Sequence, residues 1–195
     1  MIRFTGTENE KNSSFYRRNE LIAHEWEGLA SEIHGDAVGE YNCFHVDIKL
    51  QLPDTFGNVH IHGKHMLNSV LSDDFPLGSQ YGGETTISTY LTNPPSGSFR
   101  IQRSNLLNVL TTNDEPYQNN RDYIIKADDK VLLTTILEDH PYSPKLWEHS
   151  MEDFHYEQKD GGLSLTLNRF LQDQDEIKEL IDDFKHSCVL NSHVG

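Results

Sequence analysis

The sequence has few cysteines and no long apolar run. The 195-residue chain contains two cysteines, Cys43 and Cys188, which are too few for a disulfide framework. No window approaches the 18 consecutive apolar residues of a membrane-spanning helix. The first residues also lack the apolar core of a signal peptide. We therefore expect a cytoplasmic protein that does not insert into a membrane.

Basic residues are scarce relative to acidic ones. Sixteen Lys and Arg stand against 31 Asp and Glu, which gives a formal net charge of -15. Such a charge repels the phosphates of nucleic acids and of anionic membranes. We predict no nucleic-acid binding, and the partner is expected to be a protein, a basic one being favoured by charge, or a small molecule.

The familiar catalytic motifs are missing as well. The sequence has no GxSxG serine elbow, and neither a GxxxxGK[ST] phosphate loop nor a GxGxxG fingerprint. Cys43 lies two residues before His45, so the two could share a strand face, but no orienting acid is evident beside them. Pairs of loop carboxylates arise by chance among 31 acidic residues; they are Asp73, Asp74, Asp114 and Glu115. We predict no catalytic residue and no cofactor.

Apolar residues recur at helical spacing near both ends of the chain. The first set, which predicts a helix from about Ser14 to His34, is Phe15, Ile22, Trp26, Leu29 and Ile33. Near the end, Asp173 followed by Glu176 predicts a capped helix start. The apolar face of that last helix comprises Ile177, Leu180, Ile181, Phe184 and Cys188.

Between these helices the apolar residues alternate, as in half-buried strands. Residues 44–62 are predicted to form an antiparallel hairpin whose core-facing residues are Phe44, Val46, Ile48, Val59 and Ile61. Further strands are predicted around 85–91, 99–101, 154–156 and 163–167. The clearest local pattern is Asn119–Leu137, a strand leading through Asp128 into a helix.

These elements predict an α+β fold, an antiparallel sheet of about six or seven strands flanked by N-terminal and C-terminal helices. Residues 1–12 are expected to be a flexible leader and residues 191–195 a frayed tail. Residues 13–190 are expected to form a single domain.

The second half of the chain resembles an uncharacterised bacterial family, a domain of unknown function, over about residues 99–190. The shared layout is a polar lead-in at 113–122, a strand ending in a small residue and an acidic cap at 123–128, and a helix ending in Leu. A hairpin with Gly at its tip and a closing amphipathic helix follow. Many relatives look membrane-tethered, whereas no spanning helix is predicted here. The resemblance implies no activity.

Histidines provide the one metal-like pattern. His60 and His62 lie two residues apart, so both side chains would project from one strand face and could ligate a divalent ion. His65 has the opposite parity, and His45 on the neighbouring strand could join instead. Two adjacent ligands fall short of the three or four of a zinc site, so a polar, solvent-facing strand is the competing interpretation.

The favoured function is that of a non-enzymatic binding or protein-interaction module. The alternative is a metal-dependent hydrolase or another enzyme that uses the His60/His62 hairpin. An enzyme should gather His, Asp and Glu from distant segments into one cleft, whereas a binding module should present a broad exposed surface.

Overall fold

The computed structural model describes residues 1–53, 58–68, 80–91, 97–103, 123–128, 149 and 151–191. Within these residues the chain has an α+β fold with nine strands, two α-helices and one 3-10 helix. The elements are β1 Ile2–Phe4, a 3-10 helix Glu8–Asn12, α1 Ser14–Glu32, β2 Asp36–Tyr41, β3 His45–Leu52, β4 Val59–Asn68, β5 Gln80–Tyr90, β6 Phe99–Arg103, β7 Tyr123–Ala127, β8 Met151–Glu157, β9 Gly162–Leu167 and α2 Gln174–Asn191. Neither α-helix in these ranges has the length and apolarity that crossing a membrane requires.

The chain divides into two compact units. The first comprises Met1–Pro53, Val59–Thr86 and Asn168–Ile177, and the second comprises Asp54–Asn58, Ile87–Leu167 and Lys178–Gly195. Strand β5 and helix α2 each contribute residues to both units. The expectation of a single domain over residues 13–190 stays a prediction.

In the first unit the strands are hydrogen-bonded in the order β1-β2-β3-β4-β5. Strands β2, β3 and β4 are antiparallel neighbours, and Leu52 is paired with Val59 at the end of the predicted hairpin. Four of its five predicted core residues, Val46, Ile48, Val59 and Ile61, are buried, each at most 2% exposed.

The core of this unit is built around aromatic rings. Trp26 of α1 is fully buried and stacks on Phe170, with ring centroids 5.6 Å apart, and His65 stacks on Phe170 at 5.4 Å. Gly63 of β4 permits this packing, because a Cβ there would lie 2.7 Å from Phe170 and 2.8 Å from Trp26. Close approach of rings to the strand backbone therefore requires glycine at this position.

Helix α1 begins and ends close to the prediction. The Ser13 side chain accepts a hydrogen bond from the Phe15 N–H and caps the first turn. The helix ends at Glu32, because His34 adopts a left-handed φ of 56°.

In the second unit the strands are hydrogen-bonded in the order β5-β9-β8-β6-β7, and the β9/β8, β8/β6 and β6/β7 pairs are antiparallel. Helix α2 begins in the first unit, where Asp173, at the predicted start of the helix, accepts hydrogen bonds from the N–H groups of Asp175 and Glu176, which confirms the cap. All five predicted apolar residues of α2 are buried.

The sheet departs from the prediction in two respects. It has nine strands in the described residues instead of six or seven, and β1 runs parallel to β2 instead of antiparallel. The extra strands are β1 and β2, and residues 1–12, which were predicted to be a flexible leader, contain β1 and the 3-10 helix. Ile2 N–H donates to the Glu27 carboxylate of α1 at 2.8 Å, a tertiary contact that periodicity does not reveal.

Phe44 was predicted to face the core and is 58% exposed, so that prediction is wrong. The Asn42 side chain accepts hydrogen bonds from the N–H groups of Phe44 and His45. This local turn holds Phe44 out of the strand, and the alternation begins only at His45.

Several predictions fall outside the described residues. They are the helix after Asp128, the loop carboxylates Asp73, Asp74, Asp114 and Glu115, and the tail beyond Asn191. The preceding strand is described and is β7, paired in register with β6.

Candidate functional site

The exposed sheet face of the first unit carries the histidines that the sequence singled out. His60 and His62 project from the same face of β4, as their spacing predicted, and both are partly exposed. His62 Nε2 lies 2.8 Å from Asp47 Oδ1 of β3. Because a carboxylate only accepts hydrogen bonds, Nε2 carries the proton, and Nδ1 is the nitrogen left for another partner.

His45 is not placed to join this pair. It is paired with Met66 in the ladder, whereas His62 is paired with Lys49, four residues further along β3. Four residues of strand span roughly 13 Å. His45 Nε2 instead lies 3.4 Å from Glu40 Oε1 of β2. The suggestion that His45 completes the set is therefore not supported by the register.

His65 projects to the opposite face, as its parity predicted, and is 4% exposed. Burial lowers the pKa of its imidazole, and the charge of Arg18 lowers it further. A neutral ring stacked on Phe170 is consistent with a core role. In the described residues, no group of three or more His, Cys, Asp or Glu side chains is arranged to hold a metal ion.

A groove of about 410 Å³ lies beside these residues in the first unit. It is lined by His45, Val46, Asp47, Lys64, His65, Met66, Gly82, Gly83, Glu84 and Asn168. Met66 is 59% exposed, and Phe44, which precedes the register partner of Met66, is 58% exposed. Phe44 is not among the lining residues that the structure describes, so these combine charged side chains of both signs with one exposed apolar side chain, that of Met66.

The exposed sheet face of the second unit carries a second histidine–aspartate pair. His155 Nδ1 lies 2.7 Å from Asp153 Oδ2, and both residues belong to β8. Arg100 of the adjacent strand β6 holds the same carboxylate with two hydrogen bonds, 2.7 Å from Nε to Oδ1 and 3.3 Å from an Nη to Oδ2. Such a two-point contact fixes the orientation of the carboxylate.

The ionisation of Asp153 follows from these contacts. Burial alone would raise its pKa, but hydrogen bonds and charge from His155 and Arg100 outweigh burial, and the pKa is lowered. The carboxylate is therefore ionised and accepts a hydrogen bond from the Nδ1–H group of His155. In the neutral imidazole, Nε2 is then an acceptor.

A smaller groove of about 200 Å³ adjoins this pair. It is lined by Ser88, Thr89, Tyr90, His155, Glu157, Asp160, Gly162, Leu163 and Ser164. Ser164 of β9 is the ladder partner of His155, so the two side chains leave the sheet side by side, with Cβ atoms about 4.5–5.5 Å apart.

A thiol and a further histidine–aspartate pair, both of types that can take part in catalysis, are buried. Cys43 Sγ donates a hydrogen bond to the Glu10 carboxylate at 3.4 Å. Burial is the larger cause that raises the pKa of the thiol, and this contact is the second. A protonated thiol is a poor nucleophile. In the second unit, His149 Nε2 lies 3.1 Å from Asp183 Oδ2, and both residues are buried.

Sequence reasoning had not singled out Arg100, Asp153, His155 or Ser164 as site residues. A weak signal exists, because Asp and His two residues apart on an alternating strand share a face. The partners from β6 and β9 depend on the ladder register and were not visible in the sequence.

No family model matches the chain, and no curated protein matches it.

Proposed function

We propose that the first unit acts as a non-enzymatic binding module, and that it takes a protein or small-molecule partner in the groove between His45 and Glu84. The observation that carries this proposal is a groove of about 410 Å³ in which Met66, 59% exposed, lies among charged residues of both signs. Exposed apolar residues beside a polar rim are characteristic of interaction surfaces.

The chemistry of the groove favours a ligand with polar and apolar parts. Lys64 and His45 offer donors, Asp47 and Glu84 offer acceptors, and Met66 offers a flexible, polarisable contact. The chain's charge of -15 favours a basic partner in long-range encounter.

We place the protein in the cytoplasm, and we expect no nucleic-acid ligand; micromolar binding to DNA or RNA at about 0.15 M salt would contradict this.

The experiment is a screen of small-molecule fragments and basic peptides by ¹H–¹⁵N NMR. We expect ligands to shift the amide signals of His45, Lys64 and Glu84, and Met66→Glu to abolish these shifts. The matched control is Leu21→Glu, which alters an equally exposed apolar residue of α1 (63% exposed) and should leave the shifts intact. Ligands that shift signals elsewhere in the chain, or that bind Met66→Glu normally, would contradict the proposal.

The alternative remains a metal-dependent hydrolase or another enzyme centred on His60 and His62. The contact between His62 and Asp47 favours it, since carboxylates commonly orient metal-binding histidines. The same contact also occupies Nε2, the more accessible ring nitrogen. An enzyme of this kind requires metal-dependent turnover that His60→Ala abolishes.

The resemblance of residues 99–190 to an uncharacterised bacterial family stays a proposal too. It is compatible with the β8/β9 hairpin, its glycine turn and the closing helix α2.

A further inference from the structure

We propose that Ser164, His155 and Asp153 of the second unit form an acyl-transfer site, in which Ser164 attacks a small carboxylic ester. This activity is separate from the binding role proposed for the first unit and uses none of its residues. The argument rests on the order of contacts from Arg100 to Asp153, from Asp153 to His155, and on the position of Ser164 opposite His155.

The histidine has the orientation that a general base requires. Nδ1 is tied to Asp153 at 2.7 Å, which leaves Nε2, the distal ring nitrogen, as the acceptor of the neutral imidazole. The His155 side chain is 30% exposed and lines the groove, while its Nδ1 is bound to Asp153. An orienting carboxylate behind a histidine is the common arrangement in serine hydrolases of unrelated folds.

The carboxylate is itself held in place. Arg100 contacts both oxygens of Asp153, whose side chain is 15% exposed. Asp153 and Arg100 touch no reacting atom in this scheme and are positioning residues. Their role is to fix the orientation of the His155 ring through its Nδ1.

Ser164 is the nucleophile that the register selects. It faces His155 across the β8/β9 ladder and lines the same groove. The two side chains are not hydrogen-bonded in the structure, and catalytic hydrogen bonds of this kind often tighten only when substrate binds. Ser88 and Tyr90 line the same groove, and their hydroxyl groups are of the donor type that stabilises a developing oxyanion.

The reaction proceeds in two balanced steps. Ser164 Oγ forms a bond to the ester carbonyl carbon while His155 Nε2 takes the hydroxyl proton; the C–O bond to the alcohol then breaks, and the alcohol leaves with that proton. Water next attacks the acyl-serine, His155 accepts and returns its proton, and the carboxylic acid and free Ser164 are released. The 200 Å³ groove limits the acyl group to a small one.

The test uses the full chain, p-nitrophenyl acetate as substrate and a fluorophosphonate as covalent probe, with the modified peptide identified by mass spectrometry. We expect the probe to label Ser164. Ser164→Ala and His155→Gln should each lower the hydrolysis rate by about 100-fold or more. The controls are Ser31→Ala and His24→Gln on α1, which should retain the wild-type rate. Circular dichroism and thermal unfolding of each variant verify that it folds.

Asp153 needs a readout that separates positioning from folding. Asp153→Asn should lower kcat with little change in KM, and Asp153→Glu should recover part of kcat. Label on another residue, equal hydrolysis by folded Ser164→Ala, or no label and no hydrolysis above buffer would each overturn the proposal.

Discussion

Each unit presents a histidine–aspartate pair on an exposed sheet face, and the two pairs differ in which ring nitrogen remains available. In the first unit Asp47, on a neighbouring strand, is hydrogen-bonded to Nε2 of His62, and Nδ1 is left for another partner. In the second unit Asp153, on the same strand, is hydrogen-bonded to Nδ1 of His155, and Nε2 is left for another partner. The same two residue types therefore leave a different ring nitrogen without the carboxylate, Nδ1 in His62 and Nε2 in His155.

The two aspartates also differ in their support. Arg100 holds both oxygens of Asp153, whose side chain is 15% exposed, whereas the Asp47 side chain is 36% exposed. Hydrogen-bonded charges in a less exposed setting lose less energy to solvent screening. The buried pair in the second unit, His149 with Asp183, extends this comparison to side-chain exposures of 8% and 7%. The expected effects of substitution follow this order of burial.

The largest effect is expected for the buried pair. Asp183→Asn should lower the free energy of unfolding by about 1–3 kcal/mol, because a buried donor or acceptor is left poorly matched. Urea denaturation followed by circular dichroism measures the difference. The control is Asp182→Asn, an exposed neighbour on α2, which should change stability by less than about 0.5 kcal/mol. Equal effects of the two substitutions would show that burial does not decide the ranking.

An intermediate effect is expected at the Asp153 pair, and it should depend on pH. Arg100→Ala should cost about 0.5–1 kcal/mol at neutral pH, since Arg100 is half exposed. The native pKa of Asp153 is lowered, so its stabilisation is present above the unfolded pKa of about 3.9 and is lost as pH falls through the lower native value. The stability difference between wild type and Arg100→Ala should therefore shrink below about pH 4. A difference that is constant from pH 7 to pH 2.5 would contradict this assignment.

A smaller effect is expected at the Asp47 pair. A double-mutant cycle with Asp47→Asn and His62→Gln should give a coupling energy of about 0.2–1 kcal/mol that decreases with added salt. Thermal unfolding of the four proteins in low and high salt supplies the cycle. A coupling larger than that between Asp153 and His155 would reverse the comparison.

The smallest effect is expected for metal binding by the same face. His60 and His62 should bind added Zn²⁺ or Ni²⁺ weakly, because a firm third ligand is missing among the described residues and Asp47 competes for Nε2. Isothermal titration should show weakened binding in His60→Ala and no change in His24→Ala. Elemental analysis that finds about one zinc per purified chain, lost in His60→Ala, would establish a native metal site.

Sequence periodicity was reliable where burial on one face repeats over many residues. The extent of α1, the β3/β4 hairpin and the buried stripe of α2 were predicted in this way, and the spacing of Asp173 and Glu176 predicted the cap of α2. Periodicity was silent for β1, which is three residues long, and for β2, whose alternation contains Gly39. Both strands pair with a neighbour, but each has too few apolar residues for the sequence to reveal a strand. Phe44 was misplaced because an Asn42 turn interrupts the pattern.

The candidate sites show the same division. By itself the sequence determined which side chains share a strand face, including His60 with His62, because a strand alternates with a period of two. It also determined the acidic charge and the α+β class. Outside the hairpins only the tertiary structure decided which strands are neighbours, and it decided the register throughout, since many registers bury the same apolar face. That register separated His45 from His62 and placed Ser164 opposite His155.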